Sequence, residues 1–213
     1  MVHPRAAQRT AHARLQLSGS RAARRERIVG TAFDLLMDSD YDAIQMRDIA
    51  ESADVALATL YRYFPSKEQL LAAVQLEWVE RLQRRVAQRP LRGGSNLDRL
   101  QDVIHRSILA FRRKPQFYRL LLVLETTKDP IARDLYESMQ EATTATYLEA
   151  MAGIDEETAK GLLTATLAIL GAEMRAWALG KRSLEDAESN IEASLELLFT
   201  YRDEATTAAG RPA

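Results

Sequence analysis

Apolar residues recur every three or four positions along most of this chain, which is the spacing of one face of an α-helix. In the first third, the pattern predicts a helix that Ser20 caps and that ends near Asp38. Two short helices are expected on either side of a turn at Asp54-Val55, the second from about Leu57 to Phe64. The whole pattern predicts an all-α protein.

The two short helices have distinct inner and outer faces. Ile49 and Ala53 face inward on the first helix, and Leu60 and Phe64 repeat four positions apart on the second. The residues left on or near the outside of the second helix are Ala58, Thr59, Tyr61, Arg62 and Tyr63. Hydroxyl and aromatic groups beside arginine suit a DNA groove.

Longer helices are predicted after this pair. The first begins after Ser66, which can cap it together with Gln69, and runs to about residue 88. Residues 89–94 form a break, and further helices are expected from Ser95, from Gln116 and from Pro130. The last two helices, about 155–179 and from Ser183 to about 202, carry small and apolar residues. They can pair with their copies around a two-fold axis as a four-helix bundle, or they can complete the core of a monomer.

Composition narrows the class of protein. Hydrophobic residues make up 46% and charged residues 28% of the 213-residue chain, as in an ordinary globular protein. No apolar run approaches the roughly 20 residues of a transmembrane helix, and the N-terminus lacks the apolar segment of a secretory signal. The absence of cysteine excludes disulfides and thiolate metal sites. A cytoplasmic protein without a membrane partner is expected.

The most informative segment is residues 58–71, Ala-Thr-Leu-Tyr-Arg-Tyr-Phe-Pro-Ser-Lys-Glu-Gln-Leu-Leu. It resembles the signature of the TetR family of bacterial transcriptional regulators, and the resemblance is close over about residues 21–71. Residues 55–67, preceded by Ala-Ile-Gln-Met-Arg at 43–47, also resemble the actinobacterial regulators of sterol catabolism in that family. The resemblance implies a helix-turn-helix DNA-binding domain at 21–67 and a helical ligand-binding and dimerisation domain at 68–202. A disordered basic arm at 1–20 and a tail at 203–213 flank them.

Charge distribution agrees with a DNA partner although the net charge is only -1. Seven arginines but one acid, Glu26, precede Ile28, and such a segment is attracted to phosphate. In the family this segment often lies along the DNA backbone or in the minor groove. The expected DNA contacts are Arg24, Arg25, Met46, Arg47, Ala58, Thr59, Tyr61, Arg62, Tyr63 and Lys67.

Several of these positions have alternatives. Arg47 matches a family position that reaches base edges or phosphate, but it can also pair with Asp48 or Glu51. Met46 stands where threonine is common, so only its backbone amide can serve. Tyr63 is the tyrosine expected to be partly buried.

The resemblance also implies a small molecule bound in the second domain that lowers operator affinity. Candidate lining residues combine aromatic bulk with adaptable methionine: Phe111, Phe117, Tyr118, Leu121, Leu122, Tyr147, Met151, Met174 and Trp177. Each can instead be an ordinary core residue, and a cavity is a property of the whole set. An apolar effector such as a lipid, steroid or aromatic compound fits them. Arg119 and Arg175 can pair with an acid or with the phosphate groups of a thioester effector, or they can equally be surface charges.

An enzyme is not expected, because no histidine pair has metal-ligand spacing and no nucleophile has a base nearby. No cofactor or metal is expected. The sequence therefore predicts a ligand-released homodimeric repressor that binds a palindromic operator in double-stranded DNA and is nucleoid-associated when bound. The alternative is an activator, or an effector-independent DNA-binding protein of the same fold.

Overall fold

The structure, a computed structural model, describes residues 19–209, which form nine α-helices, one short 3-10 helix and no strand. The helices are α1 (Gly19–Asp38), a 3-10 helix (Tyr41–Ala43), α2 (Met46–Ser52), α3 (Leu57–Tyr63), α4 (Lys67–Ala87), α5 (Asn96–Arg113), α6 (Pro115–Glu125), α7 (Pro130–Ala150), α8 (Glu156–Ala178) and α9 (Leu184–Ala209). The prediction of an all-α fold is confirmed for this range.

The described residues pack as two compact units. The first unit comprises residues 19–85 and 113–143, and the second comprises residues 86–112 and 144–209. The functional boundary predicted after residue 67 falls inside the first unit, at the first residue of α4. Almost all of the predicted basic arm lies outside the described residues.

Most helix starts follow the local signals in the sequence. The hydroxyl of Ser66 accepts the amide of Gln69 (3.1 Å), and Ser95 and Ser183 cap α5 and α9 in the same way, each at 3.0 Å. Asp155 caps α8 by accepting the amide of Thr158. These caps satisfy amides that have no partner within their own helix, so the predicted starts are confirmed.

Two helix ends differ from prediction. Helix α1 already includes Gly19 and Ser20, so Ser20 does not cap it. Helix α9 continues to Ala209, past the predicted end near residue 202, because residues 203–209 contain neither glycine nor proline and include good helix formers.

The core of the first unit is built around Phe117, which is fully buried. Its ring stacks on Trp78 at 4.9 Å and 14°, and tilts against Phe33 at 5.6 Å. Leu70 and Leu71 of α4 are also fully buried, and each such side chain stabilises the fold by about 1.5–3 kcal/mol. Helix α4 therefore supplies a large part of this core.

The end of α1 is held by polar groups at the start of α6 and by Lys114, which precedes it. Lys114 and Gln116 both donate to the carbonyl oxygen of Met37, at 2.8 and 2.6 Å. Arg119 forms an ion pair with Asp40 at 2.6 Å. These bonds satisfy a carbonyl that a helix end leaves without an intrahelical partner. Of the two roles predicted for Arg119, this ion pair of a 42% exposed side chain favours a surface charge.

The second unit contains α8 and α9 packed against each other. Ala187, Ile191, Leu195 and Phe199 are buried and recur every fourth residue along α9. Asn96 and Arg99 of α5 donate to the carbonyl oxygen of Ala150, each at 3.2 Å, which ties α5 to the end of α7.

Candidate DNA-binding surface

The connection between α2 and α3 is a tight, hydrogen-bonded turn. Asp54 has a positive φ of 51°, a conformation that aspartate tolerates better than most residues. The amide of Val55 donates to the carbonyl of Ala50 (2.9 Å), and the amide of Asp54 donates to that of Glu51 (3.1 Å). This pair of bonds closes the end of α2 as a Schellman motif and redirects the chain into α3.

The inner faces of α2 and α3 are buried as the sequence predicts. Ile49 and Leu60 are fully buried, Ala53 is 1% exposed and Phe64 is 2% exposed. Because α2 packs against both α1 and α3, these residues form a compact support. The helix spacing then directs the intervening side chains of α3 outward.

The outer face of α3 presents the predicted contact residues. Tyr61 is 45% exposed, Ala58 and Arg62 are exposed, and Thr59 is half-buried. Tyr63 is also half-buried, and the guanidinium of Arg21 lies 5.8 Å from its ring centre. Helix α3 therefore presents the guanidinium of Arg62, the phenol of Tyr61 and the hydroxyl of Thr59 away from the core.

Arg47 and Met46 occupy the first turn of α2 in different ways. Arg47 is exposed and has no ion pair within residues 19–209, so the expected alternative with Asp48 or Glu51 is not formed there. The side chain of Met46 is buried, at 8% exposure. The side chain of Met46 is therefore not presented on the outer face of α2, and a contact through its backbone amide stays a prediction.

The basic residues of α1 adjoin the same support. Arg25 is half-buried, with its guanidinium 4.9 Å from the ring centre of Phe64. Arg24 is exposed. The cation–π contact therefore joins α1 to the residue that ends α3.

Lys67, at the first position of α4, has a partner that the sequence did not reveal. Its ammonium donates to the carbonyl oxygen of Tyr41 at 2.6 Å and lies 4.0 Å from the centre of the Tyr41 ring. Burial lowers the pKa of Lys67, although the carboxylates of Asp42 and Glu68 oppose that shift. An ammonium has three donors, so the bond to Tyr41 leaves two for a phosphate.

Asp129 joins the starts of two helices. Its Oδ2 accepts from the hydroxyl of Ser66 (2.8 Å) and from Nε2 of Gln69 (2.9 Å), while Oδ1 accepts the amides of Ile131 and Ala132, each at 3.0 Å. One carboxylate therefore caps α7 and holds the cap of α4. Sequence reasoning missed this residue as part of the site, because its partners lie 60 and 63 positions away.

The nine predicted lining residues divide between the two packing units. Phe117, Tyr118, Leu121 and Leu122 belong to the first unit, whereas Phe111, Tyr147, Met151, Met174 and Trp177 belong to the second. Burial of Tyr147 raises the pKa of its phenol to about 12, against the opposing effect of a hydrogen bond with Ser107.

No helix in the described part of the chain is both long and apolar enough to cross a membrane. Within the same residues, no group of three or more histidine and carboxylate side chains is placed to hold a metal ion.

Comparison with known proteins identifies relatives over most of the chain. A family model described as "Bacterial regulatory proteins, tetR family" matches residues 28–74. The transcriptional repressor KstR of Rhodococcus jostii is 30% identical over 185 residues, which cover 85% of each chain. The transcriptional activator FasR of Mycolicibacterium smegmatis is 25% identical over 182 residues, covering 84% of this chain and 83% of FasR. The crystal structure of a TetR transcriptional regulator from Rhodococcus sp. RHA1 superposes with a TM-score of 0.69 at 27% identity, covering 86% and 98% of the two chains.

Proposed function

This chain belongs to the TetR family of bacterial regulatory proteins, and we propose that it is a homodimeric repressor released from a palindromic operator by a small apolar effector. The observation that carries the proposal is the outer face of α3. There Tyr61 and Arg62 are exposed next to Thr59, on a support of fully buried residues. A rigid support fixes the direction of such side chains, as readout in a major groove requires.

The proposed DNA contacts have separate tasks. Arg47 and Arg62 read base edges or phosphates with their planar donor forks, and Thr59 adds a hydroxyl. Tyr61, Tyr63, Lys67 and the arginines of α1 fix the register along the phosphate backbone. Ala58 offers only apolar contact, so sequence readout rests on few side chains.

The proposed dimer uses the exposed sides of α8 and α9. Leu167 is 37% exposed on α8, and Leu197 and Tyr201, one turn apart on α9, are 72% and 75% exposed. Ala168 and Ala172 are exposed small residues one turn apart on α8, and small side chains permit close approach. Two-fold pairing would cover this apolar surface and present two copies of α3 to successive major grooves.

We expect an apolar effector because the side chains of the candidate lining residues are mainly apolar. The resemblance to regulators of sterol catabolism favours a steroid over other lipids or aromatic compounds. For release, the effector must bind better to the arrangement of the dimer that fits the operator poorly.

The test is a titration of the purified protein with labelled DNA from upstream of its own gene, at fixed moderate salt. A random duplex of the same length is the control, because phosphate attraction alone binds both. We expect preference for the upstream DNA, and release by a steroid, fatty-acyl or aromatic compound. Equal affinity for both duplexes would contradict sequence-specific binding.

The relative FasR is named as a transcriptional activator, so activation of transcription is the second candidate function. The two functions differ in transcription from the bound promoter in vitro. A repressor lowers the yield of transcript when it is added, and an activator raises it. An increase would favour the second candidate without changing the DNA-binding assignment.

A further inference from the structure

Gln75 lies in the middle of α4 and is fully buried. Neither its Oε1 nor its Nε2 has a hydrogen-bond partner in the described structure. Around it on the same helix, Leu71 and Val74 are fully buried and Trp78 is 8% exposed. A primary amide is thus fully buried with its polar atoms unpaired, and its neighbours along the helix are buried apolar side chains.

Two other buried glutamines of the same packing unit show the usual arrangement. Gln69 and Gln116 are each 8% exposed. Nε2 of Gln69 donates to Asp129 at 2.9 Å, and Nε2 of Gln116 donates to the carbonyl oxygen of Met37 at 2.6 Å. Gln75 differs from both because neither of its polar atoms is paired, whereas the half-buried Gln83 of the same helix leaves only its Nε2 unpaired.

Stability alone does not account for a glutamine at position 75. Burying an amide without hydrogen bonds is unfavourable, whereas methionine has a similar length and no hydrogen-bonding requirement. Buried polar groups in native proteins almost always have partners, and an exception calls for a specific reason such as a ligand or an ordered water.

We propose that Gln75 is the polar contact for the effector, an otherwise apolar molecule whose buried end carries a hydroxyl or carbonyl oxygen. This inference rests on the proposed ligand release and deepens it. A primary amide has two donor hydrogens and one acceptor oxygen. A carbonyl accepts from Nε2, and a hydroxyl can also donate to Oε1, whereas a plain hydrocarbon satisfies neither atom.

The position of Gln75 also connects an effector with the DNA-binding surface. It lies eight residues after Lys67 on the same helix, or about 12 Å along the axis. The start of that helix carries the bonds to Tyr41 and Asp129. An effector that binds the amide therefore acts on the helix that also supports the proposed phosphate contact.

The first experiment compares thermal unfolding of Gln75→Met with that of the matched control Gln116→Met, both without added compound. We expect Gln75→Met to raise Tm by about 2–4 °C, the shift that a stabilisation of ordinary size gives in a chain of this length. Gln116→Met should lower Tm because it removes a hydrogen bond. A loss in Gln75→Met like that of the control, as an amide satisfied by buried water would give, overturns the inference.

The second experiment pairs three oxygenated compounds with related hydrocarbons: testosterone with androstane, octan-1-ol with octane, and 2-naphthol with naphthalene. Binding is followed by tryptophan fluorescence and by Tm, in wild type and in Gln75→Met. We expect the oxygenated member of one pair to bind wild type at least tenfold more tightly than the variant, with no such difference for its hydrocarbon. An equal response in both proteins, or none to any oxygenated compound, overturns the inference.

The same compounds are added to the complex with operator DNA, each variant being compared with its own ligand-free affinity. Release that is equal in wild type and Gln75→Met supports the proposed function but overturns the role of Gln75. Compound binding that depends on Gln75 without any release of DNA supports the contact and contradicts ligand-controlled release. The two proposals therefore fail separately.

Discussion

Lys67 shows how a single residue is shared between structure and the proposed DNA contact. Its ammonium is anchored by the carbonyl and the ring of Tyr41, so it loses less side-chain freedom on meeting a phosphate than a free lysine does. Tyr41 is positioned in turn, because its hydroxyl donates to Glu68 at 3.4 Å. The sequence pattern indicates that Lys67 is a candidate phosphate contact. Its anchoring by Tyr41 depends on the fold.

Arg47→Ala tests base recognition. The variant should weaken binding to the operator by about 1–3 kcal/mol and relax the preference at one base pair of each half-site. The control is Arg85→Ala, at an exposed position in the last turn of α4. It changes the net charge by the same amount at a residue that is not a proposed DNA contact. Fluorescence anisotropy with a set of single-base operator variants measures both effects. An equal loss in the two variants would mean that Arg47 contributes only net charge.

Tyr147→Phe tests the buried phenol through pH. The pKa of Tyr147 is raised by burial to about 12 from an ordinary value of 10.0, so the unfolded chain loses this proton first as pH rises. The associated stability is fully present below pH 10 and is lost between about pH 10 and pH 12. Between pH 9 and 11, wild type should lose about 1 kcal/mol more than Tyr147→Phe. Urea unfolding at several pH values measures the difference, and parallel curves would contradict it.

At the scale of elements, local signals account for most helix boundaries. The Schellman bonds at Asp54 and Val55 and the caps at Ser66, Ser95 and Ser183 each join residues within five positions. Such features are readable because both partners fall in one short window of sequence. The continuation of α9 to Ala209 was missed because no stop signal marks its end before Gly210.

Asp129→Ala tests the bond between helix starts. It removes the cap of α7 and also the acceptor shared by Ser66 and Gln69, so the free energy of unfolding should fall by about 2–3 kcal/mol. Asp155→Ala removes only a local cap, from α8, and should cost less. Urea denaturation of both variants gives the comparison. Equal losses would show that the contact across to α4 adds nothing beyond capping.

The same variant bears on function. Because Asp129 holds the cap of α4, Asp129→Ala should weaken operator binding more than Asp155→Ala does, at a temperature where both proteins are fully folded. Anisotropy titrations performed beside the unfolding curves separate this effect from simple loss of folded protein. Equal operator affinities would confine Asp129 to a role in stability.

At the scale of the whole molecule, Leu197→Glu tests the proposed dimer. A carboxylate at this exposed position of α9 would be buried without a partner in the two-fold interface, which is strongly unfavourable. We expect a monomer by light scattering coupled to gel filtration, together with loss of tight binding to a two-half-site operator. Ile131→Glu changes another exposed apolar residue, 52% exposed in the first packing unit, and should remain dimeric. A dimeric Leu197→Glu protein would exclude this face.

The sequence by itself determined the all-α class, the family and nearly every helix start, because helix periodicity, caps and turn residues act over three to five positions. It also indicated which side of α3 is exposed, since the buried Leu60 and Phe64 define the opposite face. The comparisons confirm the family. The individual DNA and effector contacts remain proposals.

Tertiary structure alone decided the features that join distant positions. The carboxylate of Asp129 reaches Ser66 across 63 residues, and Lys67 reaches Tyr41 across 26. The unpaired state of Gln75 is likewise a property of its surroundings, because Gln69 and Gln116 have the same side chain and are satisfied. No local pattern encodes such contacts, since burial and pairing depend on which helices the folded chain brings together.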